Sequence, residues 1–184
     1  MKIGITGGIG SGKSYVCKLL AARGIVVYDC DAAAKRLMHG SETLRSRLTA
    51  LIGPDTYVDG RLNKAVVTQF LLASERNAKA VDAIVHPAVF RDFEESGLLW
   101  MESAIMFESG ADRLVDRVVV VTAPEEVRIG RIMQRDGISR EKALDWIHKQ
   151  WSQDEVRRRA DYEIVNDGQT PLEPQIEQLI KNLE

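Results

Sequence analysis

The sequence predicts a doubly wound α/β fold built on a parallel five-stranded sheet. Short β-rich runs alternate with longer helical patterns along the 184 residues, and this alternation is typical of parallel sheets covered by helices. Two runs, Ile25–Val27 and Val118–Val121, are apolar at every position, as a strand must be when helices cover both of its faces. The predicted strands are Lys2–Thr6, Ile25–Tyr28, Leu98–Glu102, Arg117–Thr122 and Tyr162–Val165.

Two segments are longer than a crossover between neighbouring parallel strands requires. Residues 32–97 carry apolar side chains at helical spacing, with turn signals at Gly53-Pro54-Asp55 and Asp59-Gly60. This pattern predicts a helical subdomain inserted into the sheet. Residues 125–160 form a second insertion. The predicted core comprises residues 1–31, 98–124 and 161–184.

Composition narrows the class of protein. The chain is 45% apolar and has a formal net charge of −2, so neither a nucleic acid nor an anionic membrane is an expected partner. Cys17 and Cys30 are too few for a disulfide framework and fit a reducing compartment. Lys2–Thr6 has the pattern of a strand rather than a secretory leader, and no apolar run reaches the roughly 18 residues of a membrane span. We expect a cytoplasmic protein, either a monomer or a weak homo-oligomer.

The strongest functional signal is a glycine-rich run that matches the Walker A pattern at every fixed position. A predicted strand precedes it and a helical pattern follows it, so a chance glycine-rich turn is disfavoured. Glycines let successive backbone N–H groups surround phosphate oxygens, and the following helix adds its positive N-terminal end. We expect Lys13 to contact the β- and γ-phosphates of ATP and Ser14 to ligate Mg²⁺. The predicted ATP-binding P-loop residues are Gly8, Ile9, Gly10, Ser11, Gly12, Lys13, Ser14 and Tyr15, preceded by Gly7.

Switch GTPases share this loop, but the rest of the sequence disfavours them. They require Asn-Lys-x-Asp to read the base and Asp-x-x-Gly to sense the γ-phosphate. The nearest match to the first pattern is Asn63-Lys64-Ala65-Val66, which lacks the aspartate, and the second pattern does not occur.

Two aspartates follow the second predicted strand, at the carboxyl edge of the sheet where ligands of doubly wound folds bind. A kinase that acts on a hydroxyl benefits from a carboxylate that accepts the proton and orients the attacking oxygen. We choose Asp31 for this role and Asp29 as the second choice. Either aspartate would equally serve as the N-cap of the helix that begins near Ala32.

Glu102 ends a run of four apolar residues, Leu98 to Met101. An acid at such a strand end belongs to the Mg²⁺ shell in P-loop proteins, usually as an aspartate. A glutamate has a longer reach, so we expect it to act through water. The alternative is an acid that a neighbouring helix N-terminus satisfies.

Arginines are concentrated in the second insertion. Arg128, Arg131 and Arg135 share one helical face, and Arg140 and residues 157–159 extend the cluster. Phosphoryl transfer moves negative charge onto phosphate oxygens, which arginines of a closing lid can neutralise. Any single arginine can instead belong to a solvated face with acidic neighbours. A nucleic-acid surface is disfavoured because interleaved aromatic residues are missing.

His86 precedes Pro87 at a predicted helix junction. A lone histidine in such a setting is more often structural than functional.

Along essentially its whole length, the sequence resembles the dephospho-coenzyme A kinase family. Each later motif is modest alone, whereas their order and spacing together are specific. The motifs are Gly4–Ser14, Asp29-Cys30-Asp31, Ile84–Pro87, Ile105–Glu108, Arg131–Ser139 and Ala160–Asn166.

The resemblance implies transfer of the ATP γ-phosphoryl group to the 3′-hydroxyl of dephospho-coenzyme A, the last step of coenzyme A synthesis. It implies that residues 32–97 bind the substrate and that residues 125–160 form the lid. Asp31 resembles the proposed base and Arg135 a lid arginine near the nucleotide, while Asn166 lies in a loop expected near the adenine. His86 and Glu108 resemble substrate-side positions.

The sequence departs from the family pattern at four positions. Tyr15 stands where threonine is usual, Arg128 where glutamine is frequent, Glu102 where aspartate is familiar, and Met106 where leucine is expected. None of these changes removes a proposed catalytic group. The alternatives are a P-loop kinase of a nucleoside monophosphate or a small alcohol, and a non-enzymatic nucleotide-dependent regulator.

Overall fold

A computed structural model describes residues 1–183, and these residues form seven strands and ten α-helices. The strands are β1 (Ile3–Thr6), β2 (Val27–Asp29), β3 (Tyr57–Val58), β4 (Arg61–Leu62), β5 (Trp100–Glu102), β6 (Arg117–Thr122) and β7 (Tyr162–Val165). The helices are α1 (Lys13–Ala21), α2 (Cys30–Gly40), α3 (Glu42–Ile52), α4 (Lys64–Ala73), α5 (Glu75–Ser96), α6 (Met106–Ser109), α7 (Glu125–Asp136), α8 (Arg140–His148), α9 (Gln153–Arg159) and α10 (Leu172–Leu183).

The main sheet has five strands in the order β2-β5-β1-β6-β7. The predicted five-stranded parallel sheet with flanking helices is confirmed. Strand β1 lies at its centre and pairs in parallel with β5, where Ile3 is opposite Trp100, and with β6, where Ile5 is opposite Val119. This order brings the carboxyl ends of β1, β5 and β6 to one edge of the sheet, where the loop after β1 begins.

Strand β2 is shorter than predicted. The sequence favoured a start at Ile25, but the strand begins at Val27. The Ile25 N–H donates to the carbonyl of Leu20 at 3.1 Å, so this residue closes the turn after α1 and does not enter the sheet ladder. Val26 is 63% exposed. The apolar run therefore predicted that a strand occurs here, but it did not predict the residue at which the strand begins.

Two compact units make up the chain. The first contains Met1–Tyr28 and Leu98–Glu184. Its core lies between the sheet and the helices α1 and α10, where apolar side chains from β1, β6 and β7 meet those of both helices. The fully or nearly fully buried members of this core are Ile3, Ile5, Val16, Leu20, Val119, Val121, Ile164, Ile176 and Leu179.

The second unit, Asp29–Gly97, consists mainly of helices α2 to α5. A short hairpin, whose strands β3 and β4 have two residues each, lies between α3 and α4. Asp59 and Gly60 form its turn, with φ values of 50° and 75°. The turn was predicted, whereas the strands were not. Strands of two residues give no alternation of apolar and polar side chains from which to predict them.

The predicted helix junction at His86-Pro87 is wrong. Pro87 lies inside the 22-residue helix α5, which runs without interruption from Glu75 to Ser96. Proline lacks the N–H that a continuous helix uses, so packing has to maintain the helix here. Helix α5 packs against α2, α3 and α4, and it buries Val85 and Val89 on either side of the proline.

None of the helices formed by residues 1–183 has an apolar stretch long enough to cross a bilayer. Cys17 and Cys30 are not joined in a disulfide.

Candidate nucleotide-binding site

The P-loop connects the buried strand β1 to helix α1, which begins at Lys13. Its glycines are required by close approach as well as by backbone angle. Gly12 has a φ of 92°, and a side-chain carbon there would overlap the amide of Asn166. A side-chain carbon on Gly8 would overlap the guanidinium of Arg128. Alanine at either position would therefore displace the Arg128 or Asn166 side chain that packs on the loop, and at Gly12 it would also strain the backbone.

Several backbone donors of this loop have no acceptor among residues 1–183. They include the N–H groups of Gly10, Gly12, Lys13 and Ser14. Lys13 and Ser14 also form the first turn of α1, so the positive end of the helix dipole adds to the effect of the donors. A glycine-rich turn with unused N–H groups ahead of a helix is an anion-binding cradle, and it suits a phosphate group.

Lys13 and Glu102 come together at this edge of the sheet. The Lys13 ammonium lies 3.7 Å from the Glu102 carboxylate, and their side chains are 10% and 12% exposed. A carboxylate next to the ammonium group offsets part of the free-energy cost of burying these two side chains. The strand end thus supplies an acid next to the loop, and its role in the Mg²⁺ shell stays a prediction.

The oxygen ligands that this region offers a metal ion are few. Ser14 presents a hydroxyl in the first turn of α1, and Glu102 presents a carboxylate at the end of β5. The described residues contain no group of three or more His, Cys, Asp or Glu side chains that could hold a metal. Magnesium typically binds through one or two protein oxygens together with phosphate oxygens and waters. The donor set fits Mg²⁺ on those terms.

The two candidate bases have different surroundings. Asp29 is the N-cap of α2, and its Oδ1 accepts the Ala32 N–H at 2.8 Å. Asp31 follows in the first turn of the same helix and is exposed. The capping alternative therefore describes Asp29, and the base role of Asp31 stays a prediction.

The arginine face of α7 divides into two parts. Arg128 is 4% exposed, and Arg131 is half-buried; both donate to oxygen atoms of the P-loop. Burial lowers the pKa of Arg128, while Glu125 partly offsets this effect. Arg135, the arginine chosen from the sequence, instead points to solvent and binds the neighbouring Asp136 at 2.7 Å. That hydrogen bond raises the pKa of Arg135.

Sequence reasoning missed Arg128 and Arg131 as partners of the P-loop. Their spacing of three residues places them on one face of α7, but no signal in the sequence shows which loop that face meets. The solvated-face alternative is wrong for Arg128, because that side chain is buried. It describes Arg140, whose guanidinium binds the exposed Glu126 at 2.6 Å.

Asn166 lies directly after β7 and is 8% exposed. Its Nδ2 donates to the Ser11 carbonyl at 2.9 Å, and its Oδ1 accepts from Arg131 at 3.3 Å. The side chain that was expected near an adenine is thus bound to the loop that would hold the phosphates. Contact with an adenine stays a prediction for this residue.

Glu108 joins α6 to the connection between α8 and α9. Its Oε1 accepts the Trp151 N–H at 3.2 Å. The adjacent Phe107 ring lies parallel to the Trp151 ring, with 8° between the planes and 6.4 Å between the centroids. Arg159 covers Trp151 at 4.7 Å. Glu108 therefore belongs to an aromatic cluster in the first unit, and its contact with substrate stays a prediction.

His86 and Tyr15 are the two remaining predicted site residues. His86 lies within α5 of the second unit, where Nε2 is 3.6 Å from an oxygen of Asp82 and the ring stacks on Phe90. These contacts fit a structural role, and the substrate-side role stays a prediction. Tyr15 is 55% exposed on the first turns of α1.

Comparison with known proteins gives a consistent family. Residues 1–171 match the family model of dephospho-CoA kinase. The chain is 41% identical to a dephospho-CoA kinase of Bacteroides fragilis, with 98% of this chain and 91% of the relative aligned. It is 40% identical to the dephospho-CoA kinase of Porphyromonas gingivalis, again over 98% of this chain and 93% of the relative.

Solved structures agree with the fold. A Thermus thermophilus protein superimposes with a TM-score of 0.83 and 34% sequence identity, and the alignment covers 100% of this chain and 95% of that one. A dephospho-CoA kinase from Campylobacter jejuni superimposes with a TM-score of 0.65 at 20% identity, covering 100% and 96% of the two chains. The second match supports the fold alone.

Proposed function

Since the chain belongs to the dephospho-CoA kinase family, we propose that it transfers the γ-phosphoryl group of ATP to the ribose 3′-hydroxyl of dephospho-coenzyme A. The observation that carries the proposal is the P-loop itself. Its unused N–H donors, together with the Lys13 ammonium, form a site for a polyphosphate.

In the proposed reaction, Asp31 accepts the proton of the 3′-hydroxyl as the oxygen attacks the γ-phosphorus. A new bond forms between that oxygen and phosphorus, the bond to the β–γ bridging oxygen breaks, and ADP leaves. Lys13 balances the charge that develops on the phosphate oxygens. Arg135 contributes from the lid, and Asn166 lies near the adenine.

We propose Mg²⁺ as the cofactor. Ser14 would hold it directly and Glu102 through water. When bound, the ion neutralises phosphate charge. The protein groups keep their own tasks, because Lys13 and the loop donors bind and orient the phosphates.

The remaining assignments follow the family resemblance. Residues 32–97 would bind dephospho-coenzyme A, and residues 125–160 would act as a lid. His86 and Glu108 would both contact the substrate. Two cysteines outside any disulfide fit a reducing compartment, which supports a cytoplasmic location.

Acceptor-dependent formation of ADP tests the proposed function. The protein is incubated with Mg²⁺ and ATP, and ADP is measured with dephospho-coenzyme A, a nucleoside monophosphate, shikimate or gluconate as acceptor. We expect turnover only with dephospho-coenzyme A. Turnover with one of the other acceptors would indicate a different kinase, and nucleotide binding without any acceptor-dependent turnover would indicate a regulator.

Glu102→Gln tests the metal assignment. We expect the Mg²⁺ concentration that gives half-maximal turnover to rise about 10- to 100-fold, because outer-sphere partners of a metal change its affinity by that amount. The measurement is a Mg²⁺ titration at saturating ATP. Glu177→Gln is the control, since that side chain is 71% exposed on α10. An unchanged Mg²⁺ requirement in Glu102→Gln would remove Glu102 from the metal shell.

A further inference from the structure

Side chains bind three consecutive carbonyl groups of the P-loop. Arg128 Nε donates to the Ile9 carbonyl at 2.9 Å. Arg131 Nη1 donates to the carbonyls of Gly10 and Ser11 at 3.3 and 3.2 Å. The Ser11 carbonyl also accepts from Asn166 at 2.9 Å. Helix α7 and the loop after β7 therefore hold the outer side of the cradle.

The N–H, the carbonyl and the side chain of Ile9 each contact another part of the protein. Its N–H donates to Gln150 Oε1 at 2.7 Å, and its carbonyl accepts from Arg128. Its side chain packs against the apolar cluster of the second insertion, which consists of Ile129, Ile132, Ala143 and Ile147. The conformation of the loop thus depends on residues about 120 to 140 positions later in the chain.

Peptide geometry connects these carbonyls to the phosphate donors. In a trans peptide, the C=O of one residue and the N–H of the next point in opposite directions. The Ile9 carbonyl shares its peptide with the Gly10 N–H, and the Ser11 carbonyl shares its peptide with the Gly12 N–H. Both N–H groups have no acceptor among residues 1–183. Fixing the two carbonyls therefore fixes the direction of two unused donors.

The charge of the two arginines adds to this effect. Both side chains are guanidinium cations, and neither has a carboxylate within 4.0 Å among residues 1–183. Burying the charge of Arg128 is unfavourable, and Glu125 offsets this cost only in part. A cation on the carbonyl end of a peptide also polarises that peptide, so its N–H becomes a stronger donor. An anion in the cradle would benefit from both arginines without touching either.

We propose that Arg128 and Arg131 are positioning residues for the nucleotide, which they hold through the P-loop backbone. They turn the Gly10 and Gly12 N–H groups toward the phosphates and strengthen them as donors. The inference rests on the proposed function only in taking the anion to be the polyphosphate of a nucleotide. The proposal predicts that replacing these arginines weakens binding of the donor nucleotide and leaves binding of the acceptor unchanged.

The test compares Arg128→Met and Arg131→Met with Arg128→Lys and Arg131→Lys. Calorimetry gives the Kd of ATP and ADP, and steady-state kinetics gives KM for ATP and for dephospho-coenzyme A. Each methionine variant should raise the Kd of both nucleotides on the order of tenfold, as the loss of a hydrogen bond from a charged group implies. The lysine variants keep the charge and should recover part of this loss, while KM for dephospho-coenzyme A stays unchanged.

Arg140→Gln is the matched control, because it removes an arginine of the same insertion that binds a carboxylate and no loop carbonyl. Its nucleotide affinity should equal that of the wild type. Wild-type affinity in both methionine variants would overturn the proposal, as would equal losses for ATP and dephospho-coenzyme A. If one methionine variant does not fold, the lysine variant of the same arginine replaces it in the test. Wild-type Kd values for ATP in that lysine variant and in the other methionine variant would then overturn the proposal.

Failure of the proposed function has a different signature. A wild-type protein that binds ATP but does not phosphorylate dephospho-coenzyme A would refute the assigned reaction. The nucleotide affinities of the arginine variants would still decide whether the two side chains position the loop. A wild-type protein that binds no nucleotide would overturn both.

Discussion

Replacing Asp31 by asparagine should lower kcat on the order of 10²- to 10⁴-fold and leave the Kd of ATP nearly unchanged. Asparagine has the same shape as aspartate but cannot accept the proton of an attacking hydroxyl. Asp31 lies in the first turn of α2 without being its cap, so the substitution should leave the helix intact. Single-turnover kinetics and calorimetric titration with ATP measure the two quantities separately.

Asp29→Asn is the natural control for this prediction. Asparagine caps helices about as well as aspartate does, so the bond to the Ala32 N–H should persist and the thermal unfolding temperature should change little. We expect near-normal turnover. The assignment of the base would be reversed if Asp29→Asn lost turnover while Asp31→Asn kept it.

Replacing Lys13 by alanine should weaken ATP binding and also lower kcat about 10²- to 10³-fold. The ammonium would no longer stabilise the phosphate charge that increases in the transition state. The Kd of ATP and the kcat value measured at saturating ATP separate ground-state binding from transition-state stabilisation.

The partner of Lys13 requires its own control. The substitution removes the ammonium 3.7 Å from Glu102, so part of any loss can come from the carboxylate left in a buried setting. The double variant Lys13→Ala/Glu102→Gln removes that charge as well. At saturating Mg²⁺, turnover of the double variant that stays well below that of Glu102→Gln alone would attribute the loss to the missing ammonium. Wild-type activity in Lys13→Ala would contradict the P-loop assignment.

The sheet could be predicted because short β-rich runs alternate with helical patterns, and because a strand buried between helices can be a continuous apolar run, as Val118 to Val121 of β6 illustrate. Secondary structure was harder to predict at positions where tertiary contacts determine the local conformation. Ile25 is β-branched and lies in an apolar run, yet its N–H closes the turn after α1. Pro87 is a strong local signal for a helix boundary, but packing of α5 against three neighbouring helices overrides it.

The candidate site was predictable where its residues are neighbours in sequence. Gly7 to Ser14 encode the loop and the helix start locally, so the pattern alone predicts the cradle. Contacts between distant residues were not predictable in this way. Helical spacing places Arg128 and Arg131 on one face of α7, but it does not reveal that this face meets the carbonyls of Ile9 to Ser11.

Arg135 illustrates the same difference. Its position in a family motif made it the preferred lid arginine, while its contact in the structure is the adjacent Asp136. A motif records which residues occur together. It does not record which atom each side chain binds in the folded protein.

Locating the transferred phosphate tests the central claim most directly. The protein is incubated with Mg²⁺, ATP and dephospho-coenzyme A, and phosphorus NMR follows the products. We predict one new phosphomonoester signal, coupled to the ribose 3′ proton, that increases in step with ADP. A phosphate at another position of the acceptor, or ADP formed without any phosphorylated acceptor, would contradict the account.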